Sequence, residues 1–142
     1  MLPLGAPVDV AGSSFDFREP KPVRRDWLRD PQQATAGGYD HAFLLDPECA
    51  DLAVPAVEVT ASDARVGLAI STSLPALQFY SGQLLGGTPA RDGAPYAPCA
   101  GLAFEPGFLP DSPNHPEWPQ PSCWLLPGQT YRHRIRYRFT AG

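Results

Sequence analysis

One glutamate of the sequence lies where a general base could act. Glu105 follows the apolar residues Leu102 and Phe104 and precedes a Pro-Gly pair, so residues 100–105 predict a strand that ends at this carboxyl group. An apolar wall beside a carboxyl group raises its pKa by desolvation, and a raised pKa suits proton abstraction. The alternative is a glutamate at the rim of the domain that contacts only water.

Asp40 and His41 are a second candidate pair, placed directly after the Gly-Gly-Tyr sequence of residues 37–39. An aspartate can orient an imidazole, but adjacent residues of a strand point to opposite faces. The two are therefore not expected to form a catalytic dyad with each other. The spacing allows one of them to face a pocket while the other has a structural role.

The sequence contains no recognisable metal or phosphate site. Its three histidines are well separated and lack the spacing of metal ligands. His115 lies among prolines, close to the turn-forming residues Asp111 and Asn114, and this pattern favours a rigid turn. Glycine-rich phosphate loops and the G-x-S-x-G nucleophile motif are also absent. We therefore expect no metal and no cofactor.

The elements that must position these residues are strands. Of the 142 residues, 18 are prolines and 13 are glycines, and proline disrupts helix interiors. No window shows the apolar stripe of an amphipathic helix. The segments that predict strands are residues 15–17, 40–46, 54–62, 65–73, 76–85, 100–105 and 130–139. The fold class predicted is all-β, an antiparallel β-sandwich.

The connections between these strands are also informative. Residues 54–62 and 65–73 are close enough in sequence to predict an antiparallel hairpin. Residues 19–38 predict a loop with at most one short helix, and residues 106–121, with six prolines, predict a long loop.

Arginines occupy alternate positions of the last predicted strand. They are Arg132, Arg134, Arg136 and Arg138, interleaved with aromatic and aliphatic residues. Period-2 alternation predicts one solvated arginine face and one packed apolar face. A phosphate-binding stripe is the alternative, but the net charge of −4 argues against nucleic acid as a partner.

Cysteine usage and hydropathy favour a cytoplasmic protein. Cys49, Cys99 and Cys123 are odd in number and widely spaced, which indicates free thiols in a reducing compartment. The first residues lack the basic and apolar regions of a signal peptide. No apolar run reaches the roughly 20 residues of a membrane span, so no membrane association is expected.

Four stretches together resemble a known family. They are GGYDHAFLL (37–45), PALQFYSGQLLGGTPAR (75–91), GLAFEPGFLPDSPNHPEWPQP (101–121) and LLPGQTYRHRIRYRF (125–139). In order and spacing they are similar to the C-terminal half of galactose mutarotases (aldose 1-epimerases), most of all the enterobacterial type. The resemblance identifies residues 1–142 as the C-terminal part of an aldose 1-epimerase domain, and it implies a large antiparallel β-sandwich, the supersandwich.

The resemblance implies an enzyme that interconverts the α and β anomers of aldohexoses such as galactose and glucose. In this family a glutamate removes the proton of the C1 hydroxyl while a histidine protonates the ring oxygen, and the ring opens. By resemblance, Glu105 in LAFEP is the catalytic base, and Asp40 in GYDH and Gln78 in LQFYSG bind the sugar. His41 and Asn114 belong to the same motifs and are expected to be supporting residues.

The sequence departs from the family in what it lacks. The family's general-acid histidine lies in an Asn-His-x-Tyr-Phe motif upstream of GYDH, and no such motif occurs here. An upstream arginine and a second histidine that bind substrate are likewise absent. Gln83 stands where asparagine is more usual. The sequence therefore contains the base without its acid.

Two functional hypotheses follow. The first is a truncated or split mutarotase that needs its N-terminal half, and the second is a non-catalytic carbohydrate-binding or structural β-sandwich domain. His41 or His115 as a substitute acid is a less favoured alternative. The expected partners are an aldohexose and either the N-terminal half or further copies of the chain, because sheet edges without partners favour oligomerisation or poor solubility.

Overall fold

Six strands make up most of the regular structure of residues 5–142, the part of the chain that the computed structural model describes. The strands are β1 (Asp40–Leu44), β2 (Val57–Thr60), β3 (Val66–Thr72), β4 (Ala76–Tyr80), β5 (Ala103–Gly107) and β6 (Ile135–Ala141). One short helix, α1, spans Pro31–Ala36, and 3-10 turns span Val23–Asp26, Pro47–Cys49 and Ser112–Asn114. The prediction of an all-β chain is confirmed.

The strands form two three-stranded sheets, in the orders β1-β4-β5 and β2-β3-β6. In the first sheet, Ser81 N–H donates to the carbonyl of Tyr39 and Leu45 N–H donates to the carbonyl of Pro75, each at 2.9 Å, which is an antiparallel register. In the second sheet both pairings are antiparallel, and β2 and β3 form the predicted hairpin.

The predicted strand at residues 15–17 is wrong. A local turn replaces it, in which Arg18 donates to the carboxylate of Asp16 at 2.8 and 2.9 Å and holds the pKa of Asp16 well below its usual range. The two phenylalanine rings of this segment instead pack against Tyr39, with centroids 5.9 and 5.3 Å away. The segment is thus attached through side chains rather than through a backbone ladder.

The last strand begins later than predicted, at Ile135 instead of residue 130. Its partner β3 ends at Thr72, so the observed register leaves residues 130–133 without a strand to pair with. The prediction of one packed face is also wrong, because every residue of β6 is exposed. The interleaved arginines are exposed as predicted, but so are the apolar residues between them.

The chain divides into two compact units. The first contains the described residues up to His41 together with Gln78–Phe104. Its core is aromatic: Tyr39 is fully buried and stacks on Phe79, whose other stacking partner is Phe104, at centroid distances of 5.2 Å in both cases. Stacked and edge-to-face aromatic pairs add to the stabilisation that burial of their surface already provides.

The second unit contains Ala42–Leu77 and Glu105–Gly142. It includes the whole of the β2-β3-β6 sheet, in which Ile70 and Thr72 are buried. A small apolar core lies elsewhere in this unit. That core consists of Ala76, Leu109 and Trp118, with Ala42 and Leu44 packed against it.

The described residues contain no helix that is long and apolar enough to cross a membrane.

Candidate active site

The start of β1 is fixed by the helix that precedes it. The carboxylate of Asp30 accepts the N–H of Gln32 at 2.8 Å, and Oε1 of the fully buried Gln33 accepts the N–H of Arg29 at 3.1 Å. The carboxylate satisfies a backbone donor that the first helical turn leaves unpaired, and Oε1 of Gln33 also accepts the N–H of the N-cap residue Asp30, at 3.5 Å, which completes a capping box. The helix ends at Ala36 and is capped by Gly37, whose φ of 72° is left-handed and favours glycine.

Ser81 connects the end of this turn to β4. Its hydroxyl oxygen accepts the N–H of Tyr39 at 2.9 Å. A Cβ atom at Gly38 would lie 2.7 Å from that oxygen and 2.6 Å from the ring of Trp27, so only glycine fits. The hydroxyl and the glycine together fix the backbone immediately before Asp40.

Gln83 reinforces the same junction. Its Oε1 lies 2.8 Å from the Ser81 hydroxyl, and its Nε2 donates to the carbonyl of Ala36 at 3.0 Å. The side chain therefore links the end of α1 to the chain that follows β4. Glutamine is one methylene longer than the asparagine that is more usual in the family at this position. The longer side chain of Gln83 contacts both Ser81 and the carbonyl of Ala36.

Asp40 and Gln78, the two predicted sugar-binding residues, are in direct contact. Nε2 of Gln78 donates to Oδ1 of Asp40 at 2.7 Å, although the residues are 38 positions apart. Oε1 of Gln78 is buried and has no hydrogen-bond partner in the described part of the chain. A buried acceptor without a partner is costly unless a ligand or water satisfies it. The pair therefore offers carboxylate and amide oxygens to hydroxyl donors.

His41 contacts the backbone of Asp40 instead of its carboxylate. Nδ1 accepts the N–H of Asp40 at 2.9 Å, so the proton of the neutral ring lies on Nε2. Burial lowers the pKa of His41 and favours this neutral form. Nε2 is buried without a partner among the residues described. As predicted, Asp40 and His41 do not form a carboxylate–imidazole dyad.

Glu105 lies in the middle of β5, since the strand continues to Gly107 beyond its predicted end. Its side chain is exposed, so the predicted desolvation by an apolar wall is not present among residues 5–142. Within that range the carboxylate has no hydrogen-bond or ion-pair partner. It is thus an unpaired acceptor that is open to a proton donor from solvent or substrate.

The loop after β5 is closed by Gln120, which sequence reasoning did not single out. Its Oε1 accepts the N–H of Leu109 at 3.1 Å, and its Nε2 donates to the hydroxyl of Ser112 at 2.6 Å. That hydroxyl donates in turn to the carbonyl of Leu109. A single side chain therefore ties the two ends of the loop together, only a few residues after Glu105.

The predicted rigid turn around His115 is confirmed, and its polar groups bond to one another. Nδ2 of Asn114 donates to the carboxylate of Asp111 at 2.6 Å. The ring of His115 lies between Asp111 and Glu117, with nitrogen–oxygen distances of 3.4 and 2.9 Å, and stacks on the buried Trp118. These contacts give Asn114 and His115 structural roles in the turn.

In the part of the chain that the structure describes, no three histidine, cysteine or acidic side chains form a group that could hold a metal ion.

The described residues thus include the hydrogen-bonded pair of Asp40 and Gln78 in the first unit and the unpaired carboxylate of Glu105 in the second. The family model for aldose 1-epimerases matches residues 1–138. The chain belongs to the aldose 1-epimerase family. The resemblance that the four motifs indicated is therefore confirmed.

Individual relatives agree with this membership. The chain is 52% identical to the aldose 1-epimerase of Escherichia coli K12 over 132 residues, which cover 93% of this chain and 38% of that protein. It is 32% identical to the human galactose mutarotase over 141 residues, which cover 99% of this chain and 39% of that protein. The greater identity to the bacterial sequence confirms the predicted closeness to enterobacterial enzymes. The chain spans about two fifths of the length of these relatives.

A solved structure supports the fold. The GalM/aldose epimerase homologue from C. elegans superposes with a TM-score of 0.74 at 23% sequence identity, covering 99% of this chain and 40% of that one. At this identity the likeness concerns the fold alone, and it is the fold that the family resemblance implies.

Proposed function

We propose that residues 1–142 form the base-carrying part of an aldose 1-epimerase that interconverts the α and β anomers of aldohexoses such as galactose and glucose. The observation that carries this proposal is the family match across residues 1–138, a span that includes Asp40, Gln78 and Glu105. Each of these residues lies in a motif that resembles the family's sugar site.

Asp40 and Gln78 supply acceptors for sugar hydroxyls. Because Gln78 uses its amide N–H on Asp40, its Oε1 is available to accept from a hydroxyl, and that atom is buried without a partner in the described residues. Carboxylate and amide oxygens placed side by side suit two neighbouring hydroxyl groups of a pyranose ring. We assign the pair to substrate binding and orientation.

Glu105 acts as the general base in this proposal. Its carboxylate removes the proton of the C1 hydroxyl, and the electron pair of that O–H bond forms the aldehyde carbonyl. The bond between C1 and the ring oxygen breaks, and the ring oxygen takes a proton from a general acid. Rotation about the C1–C2 bond and the reverse sequence give the other anomer. The acid is a histidine of the N-terminal part of the family domain, because residues 1–142 lack the family's acid motif.

Polarimetry on freshly dissolved α-D-galactose tests this proposal. We would assay residues 1–142 alone and a chimera in which they replace the matching region of the E. coli aldose 1-epimerase. The chimera should accelerate mutarotation and the isolated chain should not. Changing Glu105 to Gln in the chimera should lower kcat by about 10²–10⁴-fold, the usual contribution of general acid–base catalysis.

The matched control is Glu48→Gln, which removes the same charge from an exposed residue in the 3-10 turn after β1. This variant should retain the activity of the chimera. A Glu105→Gln chimera with undiminished kcat would contradict the role of Glu105. Activity of the isolated chain would contradict the assignment of the acid to the N-terminal part.

A non-catalytic carbohydrate-binding or structural domain is the second candidate, favoured by the absence of the acid motif from residues 1–142. Equilibrium binding of galactose to the isolated chain separates the possibilities. Sugar binding that Gln78→Leu abolishes, in a chain whose chimera does not epimerise, would favour the binding domain. A structural domain would bind no sugar in either context.

We also propose that the protein is cytoplasmic. Cys49, Cys99 and Cys123 are all free thiols in the structure, and unpaired cysteines suit a reducing compartment.

A further inference from the structure

The backbone just before Asp40 is held by a side chain in the place of a ladder carbonyl. In a bonded antiparallel pair, each residue donates its N–H to the carbonyl of the other. Ser81 N–H donates to the carbonyl of Tyr39 at 2.9 Å in this way, but the N–H of Tyr39 donates to the Ser81 hydroxyl, also at 2.9 Å. The hydroxyl therefore completes the rung that joins the chain entering β1 to the chain leaving β4.

The Ser81 hydroxyl has one proton and two acceptors within reach. They are the carbonyl of Tyr39 at 3.0 Å and Oε1 of Gln83 at 2.8 Å. The Tyr39 carbonyl already accepts the N–H of Ser81, so Oε1 of Gln83 is the acceptor that needs the hydroxyl proton. A proton directed at Gln83 leaves a lone pair of Oγ for the N–H of Tyr39.

The orientation of the Gln83 amide is set from the end of α1. Its Nε2 donates to the carbonyl of Ala36 at 3.0 Å, and because a carbonyl can only accept, Oε1 is the atom that faces Ser81. Ser81 is 1% exposed and Tyr39 is 0% exposed, so water is not available to replace the bonds at this rung. Gln83 is thus the group that fixes the direction of the buried hydroxyl.

This rung adjoins the predicted sugar-binding pair. Asp40 follows Tyr39 directly, and Gln78 lies on β4 shortly before Ser81. Nε2 of Gln78 donates to Oδ1 of Asp40 between the two strands at 2.7 Å. A shift of the strands at the rung would therefore change the distance between the carboxylate of Asp40 and the free Oε1 of Gln78.

We propose that Gln83 is a positioning residue for substrate binding, acting through the hydroxyl of Ser81. That hydroxyl holds the chain before Asp40 and so keeps the carboxylate of Asp40 at the right distance from Gln78 for two hydroxyl groups of the sugar. The inference rests on the proposed function, since it takes Asp40 and Gln78 as the residues that bind an aldohexose. Because such binding acts on the substrate and the transition state alike, loss of the positioning should raise KM and leave kcat nearly unchanged.

Two variants of Gln83 separate its acceptor from its bulk. Methionine has a similar unbranched side chain without the amide, whereas glutamate keeps an acceptor for the Ser81 hydroxyl and loses the donor to Ala36. In the chimera, Gln83→Met should raise KM for galactose about 10-fold and change kcat by less than about twofold. Gln83→Glu should recover most of the loss in KM. Gln32→Met, the same change at an exposed glutamine of α1, is the matched control and should leave KM unchanged.

Amide hydrogen exchange in residues 1–142 provides a second measurement that does not depend on activity. The amide of Tyr39 should exchange about 10-fold faster in Gln83→Met, while the amides of β3 keep their rates. This comparison shows whether Gln83 holds the rung, and the kinetics of the chimera show whether the rung positions the sugar site.

The other outcomes separate the inference from the proposed function. An unchanged exchange rate of Tyr39 would overturn the inference, whatever the activity of the chimera. Faster exchange with an unchanged KM would make Gln83 a purely structural residue and would overturn it too. Equal KM values in Gln83→Met and Gln83→Glu would assign the effect to the Ala36 contact and contradict the role of the hydroxyl. An inactive parent chimera with the expected change at Tyr39 would support the hold on the rung and contradict the proposed function.

Discussion

His41, whose ring accepts the N–H of Asp40, should make the stability of the chain depend on pH. Its pKa lies below the ordinary value near 6.5 because burial disfavours the charged ring, and the nearby charge of Asp40 opposes this only in part. Below that value the unfolded chain binds a proton more readily than the folded chain. The free energy of unfolding should therefore fall as the pH is lowered from neutrality towards the folded-state pKa.

The prediction is that His41→Asn weakens this pH dependence. Asparagine keeps an acceptor for the N–H of Asp40 but does not titrate. Urea unfolding at several pH values between 7.5 and 5.5 measures the effect, in a range where most carboxylates stay ionised. Identical slopes of unfolding free energy against pH in both proteins would show that His41 is not desolvated.

At the residue scale, the sequence predicts chemistry better than it predicts contacts. The resemblance identified Asp40 and Gln78 as separate residues of the site. Their direct hydrogen bond joins strands β1 and β4, and neither composition nor motif spacing predicts that these two strands pair. Ser81 and Gln120 were missed because a serine or a glutamine carries no motif until its partner in space is known. The burial expected at Glu105 was wrong for the same reason, since local apolar neighbours do not determine what covers a side chain.

At the scale of elements, the loop after β5 depends on one buried side chain. Gln120→Ala should lower the free energy of unfolding by about 1–3 kcal/mol, because the N–H of the buried Leu109 loses its partner. Urea denaturation measures the change. In the chimera, the same variant should also lower mutarotase activity if this loop holds the end of β5 in place.

Gln129→Ala is the matched control. Its Oε1 also accepts a backbone N–H, that of Leu126, at 2.8 Å, but both residues are exposed and water can replace the bond. Its cost should stay within about 0.5 kcal/mol, as is usual for surface positions. Equal costs for Gln120→Ala and Gln129→Ala would contradict the role given to burial.

Strands bounded by turn residues were predicted well even where the partner is distant in sequence, as it is for β1 and β4, and the last strand was predicted poorly. β1 to β5 follow from alternation and from the Gly and Pro residues that bound them, and β4 ends before Gly82, whose φ is 74°. β6 depends on β3, so its start at Ile135 is set by where β3 stops and not by its own alternation. Polar and apolar residues do alternate over residues 130–134, but β3 ends at Thr72 and provides no strand for them to pair with.

For the whole molecule, two sets of side chains on β6 have opposite effects on association between chains. The exposed apolar side chains are those of Ile135, Tyr137 and Phe139, and the charged ones are those of Arg136 and Arg138. The apolar side chains favour association of isolated chains, and the arginines oppose it by repulsion. We therefore predict that the isolated chain associates more strongly as ionic strength rises, because salt shortens the Debye length from about 10 Å at 0.1 M to about 3 Å at 1 M. Light scattering at both salt concentrations measures this.

The control for this prediction is Phe139→Ser, which removes the most exposed of the three apolar side chains of β6. This variant should associate less at high salt while keeping the same arginines. A chain that stays monomeric at 1 M salt would contradict the prediction of oligomerisation through open sheet edges.

The register of β3 also determines the order in which the second sheet forms. β3 meets β2 across a short hairpin, whereas its pairing with β6 joins Val66 to Ala141. Closing a long loop costs more chain entropy than closing a short one, and contacts that are distant in sequence slow folding. The hairpin should therefore form early and act as the nucleus, with β6 added late. The exposed strand β6 is thus also the last to join its own sheet, so a nascent chain exposes β3 as an edge until Ile135–Ala141 has been synthesised.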